Sequence, residues 1–138
     1  MSTSIYTPGT LQIYQGSEFG YSVDLQVNGG PYVSSLIAPS VVNGVSIPAQ
    51  GAVYAEIRRT SSGGDLLATF QVTWDYTGAN PNTTYFVLPH SITSKIPANT
   101  AANPWKHDAF YKDFTTGAVY KVIDTTDVLV APAVTQVP

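Results

Sequence analysis

Few residues in this chain could do chemistry, and they are scattered. The two histidines are His90 and His107, and the acid nearest to either in sequence is Asp108, directly after His107. If this stretch is a strand, neighbours point to opposite faces, so His107 and Asp108 cannot close on one metal ion. A metal site needs at least three convergent ligands, so His107 reads as a structural or surface histidine. His90 follows Pro89 in a turn and earns no more. A serine hydrolase would need a strained Gly-x-Ser-x-Gly elbow, which is missing; in Gly16-Ser17-Glu18 the hydroxyl more simply bonds backbone at a turn. A carboxylate pair for glycoside hydrolysis would have to come from nine scattered acids, among which Asp124 and Asp127 flank Thr125-Thr126. They read better as solvated acids that blunt a sheet edge or bulge. Asp65, Asp75 and Asp113 sit in or beside turns, where Asp bonds the local backbone. The count of zero cysteines removes thiol nucleophiles, thiolate metal sites and disulfides. A calcium loop of alternating Asp or Asn is absent, and Asn82-Thr83-Thr84 is a glycosylation acceptor only in a eukaryotic secretory setting. The expectation is no enzyme, no metal and no cofactor.

Aromatic residues are the other candidates. Trp74, Tyr76, Tyr85, Trp105 and Tyr111 could together form a sugar-stacking platform, because amphipathic rings suit such surfaces. Trp74, however, is in phase with Phe70 and Val72, which predicts a core or core-rim position. Trp105, just after Asn103-Pro104, is the better exposed anchor, since a loop tryptophan is a natural hot spot of a protein interface. With Tyr54 and Arg58 from the outward phase of the segment Val53 to Arg59, the candidate interface residues are Trp105, Tyr111, Tyr76, Tyr54 and Arg58.

Composition narrows the classes. With 138 residues, of which 43% are apolar and only 11% charged, the chain is long enough to bury a core as one domain but must cover its surface mainly with neutral polar groups. Desolvating a hydroxyl or amide costs less than desolvating a charge, so such a surface suits assembly with neighbours. The net charge of −3, with Arg58-Arg59 the only adjacent basic pair, disfavours nucleic acid, whose affinity comes from clustered cations. No window approaches the ~20 apolar residues of a membrane helix, and Met1 to Thr10 lacks the charged and apolar regions of a signal peptide.

Ten prolines and eleven glycines cut the chain into pieces suited to strands rather than helices. Phe19 to Val27 alternates strictly, with Phe19, Tyr21, Val23, Leu25 and Val27 on one face. Val53 to Arg59 alternates as well, and with Ala68 to Trp74 it reads as a hairpin around Ser61 to Asp65. Leu11 to Tyr14 and Thr84 to Leu88 are further strands, and Ser91 to Ile96 makes one helical turn ended by Pro97. Trp105 to Phe114 and Ala118 to Val130 form a terminal hairpin. Pro31 to Gln50, interrupted by prolines, suits a packed loop or short edge strand. The prediction is an all-β, immunoglobulin-like antiparallel β-sandwich of about seven strands with at most one or two short helical turns. Residues 1–10 would be a flexible N-terminal arm, 11–130 one sandwich domain and 131–138 an extended C-terminal arm.

Several stretches fall in a recognisable order: Ile13-Tyr14-Gln15-Gly16-Ser17-Glu18-Phe19; Ala55-Glu56-Ile57-Arg58 before a Gly-rich turn and Leu66-Leu67; Leu88 with Ile92, Ile96 and Pro97; Tyr111-Lys112-Asp113 before a Gly turn; and Val128 to Thr135. In this order they resemble small immunoglobulin-like virion proteins of tailed bacteriophages, similar to the N-terminal attachment domains of baseplate and receptor-binding-protein holders. The sequence departs from that pattern at Pro31 to Gln50 and at Asn99 to Lys106. The resemblance implies a structural tail or baseplate adaptor that attaches a fibre or receptor-binding element. Its partners would be other virion proteins, in symmetric multi-copy assembly, with the virion built in the bacterial host cytoplasm. A capsid decoration protein is the alternative, and a carbohydrate-binding module the alternative from a different class.

Overall fold

The computed structural model describes residues 5–27, 30–60, 63–75 and 78–133. Its elements run β1 (Leu11–Tyr14), β2 (Phe19–Asp24), α1 (Val33–Ile37), β3 (Ser40–Val42), β4 (Val45–Ile47), β5 (Gly51–Thr60), β6 (Gly63–Thr69), β7 (Gln71–Trp74), β8 (Thr83–Leu88), α2 (His90–Thr93), β9 (Trp105–Asp113) and β10 (Val119–Ala131). The fold is an all-β sandwich. One sheet has the order β1-β10-β9-β5-β6, the other β2-β8-β7, and β3 and β4 pair only with each other. Pairing is antiparallel except between β1 and β10, which run parallel from Leu11 beside Val128 to Tyr14 beside Ala131.

Period-two patterning places the core. Ala55 and Ile57 of β5, His107, Ala109 and Tyr111 of β9, and Val128 and Val130 of β10 turn inward. They meet Thr84, Phe86 and Leu88 of β8, all fully buried. The inward side chains of both sheets join one apolar cluster, which also takes Ile96 from beyond α2 and Val33 and Ile37 from α1. Tyr21 stacks on Phe86 with ring centroids 4.8 Å apart and planes 8° from parallel, and Phe70 meets Phe86 edge-on at 6.4 Å.

Several expectations are corrected. The alternation through Ala68, Phe70, Val72 and Trp74 is two strands: Thr69 pairs with Glu56 of β5, whereas Gln71 pairs with Val87 of β8. The chain changes sheets at Phe70, whose N–H donates to Ala55 O at 2.9 Å, and because both sheets face the same core the alternation continues across the corner. Trp74 is in the inward phase yet 41% exposed, because it ends an edge strand. Pro31 to Gln50 holds a short helix and the β3–β4 hairpin, so the described residues contain ten strands rather than about seven. The hairpin turns at Asn43 and Gly44, with φ of 52° and 77°, a turn with two left-handed residues that Asn-Gly accepts readily. Phe19 to Val27 keeps its phase throughout, but the ladder stops at Asp24; Leu25 and Val27 are buried beyond it, beside an isolated bridge from Gln26 to Tyr32.

The described part of the N-terminal segment lies along β10. Tyr6 N–H donates to Val122 O and Asp124 N–H to Tyr6 O, both at 2.9 Å, and the buried Thr126 hydroxyl bonds the carbonyls of Pro8 and Gly9. β10 is therefore an interior strand, so Asp124 and Asp127 do not blunt an edge. Asp124 lies within the register shift between Ile123 and Thr126 of the β9–β10 ladder and Asp127 just past it, so the expected bulge is present. On the β9 side, beyond Trp105, Asn99 continues the ladder: its side-chain carbonyl accepts from Val130 N–H at 2.7 Å and its amide donates to Val128 O at 2.9 Å.

Candidate functional site

The outer face of the larger sheet gathers much of the chain's sparse charge. Tyr54, Glu56 and Arg58 of β5 alternate outward, and in register beside them stand Phe110, Asp108 and Lys106 of β9. With Thr60 and Thr125 these residues line a groove of about 290 Å³. Arg58 pairs with Glu56 at 2.9 Å, and Lys106 with Asp127 at 2.5 Å. Lys121 of β10 reaches Asp108 at 3.7 Å and Asp124 at 3.9 Å, and its ammonium lies 5.8 Å from the Phe110 ring centroid. Pairs this exposed add little stability each. They bring several donors and acceptors together on one face of the sheet.

Below this face, His107 points the other way, into the sandwich, fully buried. Its Nδ1 is 2.9 Å from Glu56 O. A carbonyl only accepts, so Nδ1 carries the proton, and Nε2 is left to accept from the Tyr21 hydroxyl at 2.6 Å. The bond ties the two sheets together through the core, with Phe70 4.6 Å from the imidazole centroid. Burial holds the His107 pKa below its ordinary value of 6.5, against the opposing influences of the Glu56 carbonyl and Asp108. Burial also pushes the Tyr21 hydroxyl up, so it stays a donor over the ordinary pH range. The unfolded chain therefore binds a proton that the folded chain resists. Stability from this site is full above pH 6.5 and falls as pH drops toward the lowered folded-state value, with a slope approaching about 1.4 kcal/mol per pH unit. Denaturant unfolding of the wild type and His107→Gln at stepped pH checks this; the variant, though less stable, should lose the slope just below pH 6.5.

The residues singled out from sequence do not form one site. Tyr54 is 55% exposed and, with Arg58, lines the groove. Tyr111, expected at an interface, is only 2% exposed, because it shares the inward phase of His107 and Ala109; it is a core residue. Trp105, expected as an exposed loop anchor, opens β9 and is half-buried against the core. Its indole N–H donates to Pro97 O at 2.8 Å, and the Arg59 guanidinium lies 5.0 Å from its ring centroid. Tyr76 lies outside the described residues. Trp74 and Tyr85 occupy opposite phases of the smaller sheet, so the five aromatics envisaged as a sugar platform are not brought together. His90 is exposed at the start of α2, and no group of three or more His, Asp or Glu side chains converges on a metal-sized site among the described residues. Sequence reasoning missed Glu56, Lys106, Asp108 and Phe110 as site residues. The signal was present: Lys106, Asp108 and Phe110 share one phase of Trp105 to Phe114, opposite to His107 and Tyr111.

A second surface feature is the β3–β4 hairpin. All six of its strand residues are exposed, including Val41 at 69%, Val42 at 51%, Val45 at 64% and Ile47 at 38%. Among the described residues the smaller sheet ends in two edge strands, β2 and β7, with no further strand beyond them, and its outward positions are mostly neutral, among them Gly20, Ser22, Gln71 and Thr73. No helix among the described residues is long and apolar enough to cross a membrane. Comparison of the chain with protein-family models and with curated proteins gives no match.

Proposed function

We propose that this chain is a structural component of a tailed-bacteriophage virion, a tail or baseplate adaptor that attaches a fibre or receptor-binding element through protein–protein contacts. The observation that carries the contact-making part of this reading is the β3–β4 hairpin. Four apolar side chains exposed on this ribbon are at higher free energy in water than when buried, and burying them against a partner is favourable. The edge strands β2 and β7 offer backbone groups to a neighbouring strand, and their neutral surroundings are cheap to desolvate. The phage assignment rests on the sequence resemblance, spread in order along the chain. Virion symmetry would repeat these modest contacts, and repetition multiplies avidity.

Gold-labelled antibody against the chain, applied to density-gradient-purified particles and viewed by electron microscopy, tests the placement. Label at the tail end is the expected result. Label spread over the capsid would replace the adaptor with a decoration protein, and particles without label would overturn the virion reading.

A further inference from the structure

The groove on the outer face of β5 and β9 is separate from the β3–β4 hairpin and is not needed for the adaptor reading. It combines an exposed ring with fixed hydrogen-bonding groups. Tyr54 and Phe110 are directly opposite each other on adjacent strands; the Lys121 ammonium lies over Phe110, which leaves Tyr54 as the open ring face. One register step along stand Glu56 and Asp108, and one further step Arg58 and Lys106. The lining side chains thus supply two carboxylates and two cations, which cancel. Each cation also has a carboxylate partner. A phosphate or other anion would have to displace those partners, and a cationic ligand would meet Arg58 and Lys106. A carboxylate bound to one cation still has free lone pairs, and these accept well from hydroxyl groups. An aromatic face beside paired charged groups, in a groove of about 290 Å³, near the lower end of the size range of small-molecule sites, matches a ligand that is uncharged, hydroxylated and apolar on one ring face.

We propose that this groove binds a neutral saccharide, with one sugar ring stacked on Tyr54, Phe110 closing the end, and sugar hydroxyls donating to Glu56 and Asp108 while Arg58 donates to a ring or hydroxyl oxygen. The polar contacts come from side chains that already meet one another in ion pairs on adjoining β-strands, and the ring contact from a tyrosine with only two side-chain torsions to order, which limits the ordering cost on binding.

The test is a ¹⁵N-¹H NMR titration of the full chain with maltose, cellobiose and N,N′-diacetylchitobiose, alongside a glycan array. The expected result is saturable shifts of amides in 54–58 and 106–110 with at least one probe. Tyr54→Ala is expected to weaken binding at least tenfold, a loss of about 1.4 kcal/mol or more. Tyr54→Phe should retain it, and Val42→Asp, outside the groove, should leave it unchanged. Glu56→Gln with Asp108→Asn, confirmed as folded by its amide spectrum, separates hydroxyl recognition from bare stacking and is also expected to weaken binding. Three results would each overturn the proposal: silence with every probe and on the array, shifts confined to other surfaces, or binding by a folded Tyr54→Ala variant equal to the wild type. None of these results bears on whether the chain is found in virions.

Discussion

Gly51→Ala is expected to destabilise the sandwich by more than 3 kcal/mol, beyond the usual cost of overpacking a core. Gly51 is buried at the start of β5, where a Cβ would overlap the Tyr111 hydroxyl and ring and the backbone carbonyl of Lys112. The tyrosine is held in the core, and the carbonyl belongs to β9, the strand paired with β5 from Gly51 beside Asp113 to Arg58 beside Lys106. Neither yields without parting the middle of the larger sheet. Against a typical total stability of 5 to about 15 kcal/mol, the loss would lower the urea midpoint by a large fraction of its value. Gly9 is the internal control: nothing lies within 4 Å of its added Cβ, so Gly9→Ala should change stability by less than about 0.5 kcal/mol. Urea unfolding of the two variants, followed by tryptophan fluorescence, separates steric overlap from the general effect of replacing glycine.

Phe86→Ala carries a comparable expected cost, 3 to about 5 kcal/mol. Phe86 is fully buried in the middle of β8, stacked on Tyr21 and edge-on to Phe70. Removing its ring deletes the apolar area between the two sheets and leaves a cavity that two rigid sheets cannot close. It also removes the support that holds Tyr21 toward His107. Phe86→Leu keeps much of the volume and should cost roughly half as much or less. Urea unfolding of this pair shows whether volume or ring geometry dominates; equal losses for the two would favour geometry.

The sequence showed the strands more clearly than the way they are joined. Phe19 to Asp24, Val53 to Arg59 and Thr84 to Leu88 each have one face in the core, and period two reports that directly. The change of sheet at Phe70 was hidden because the inward phase of β6 continues into β7. Trp74 shows the limit of phase: it gives the direction of a side chain, whereas burial depends on what covers the strand end. In Trp105 to Phe114 aromatics occur in both phases, so Phe110 and Tyr111 could be assigned only by counting from His107. That count also places Asp108 and Lys106 outside, and with Tyr54 and Arg58 they make up most of the groove. Asn43-Gly44 in Pro31 to Gln50 is a strong hairpin signal, obscured by the neighbouring prolines. The Tyr21–His107 bond was not legible, because it depends on how two sheets meet face to face, which no local pattern encodes.

The chain's proposed role depends on contact through the exposed hairpin, and incorporation into particles measures that most directly. Particles assembled with either wild-type chain or a Val42→Asp, Val45→Asp variant would be purified, and the chain quantified in them by mass spectrometry. These two residues face each other across the hairpin and are exposed, outside the core, so although two opposed carboxylates loosen the hairpin itself, the sandwich should still unfold cooperatively near the wild-type midpoint. The expected result is stoichiometric wild-type chain in the particles and little or no variant. A folded variant incorporated as fully as the wild type, or particles that lack the wild-type chain, would contradict the proposed role.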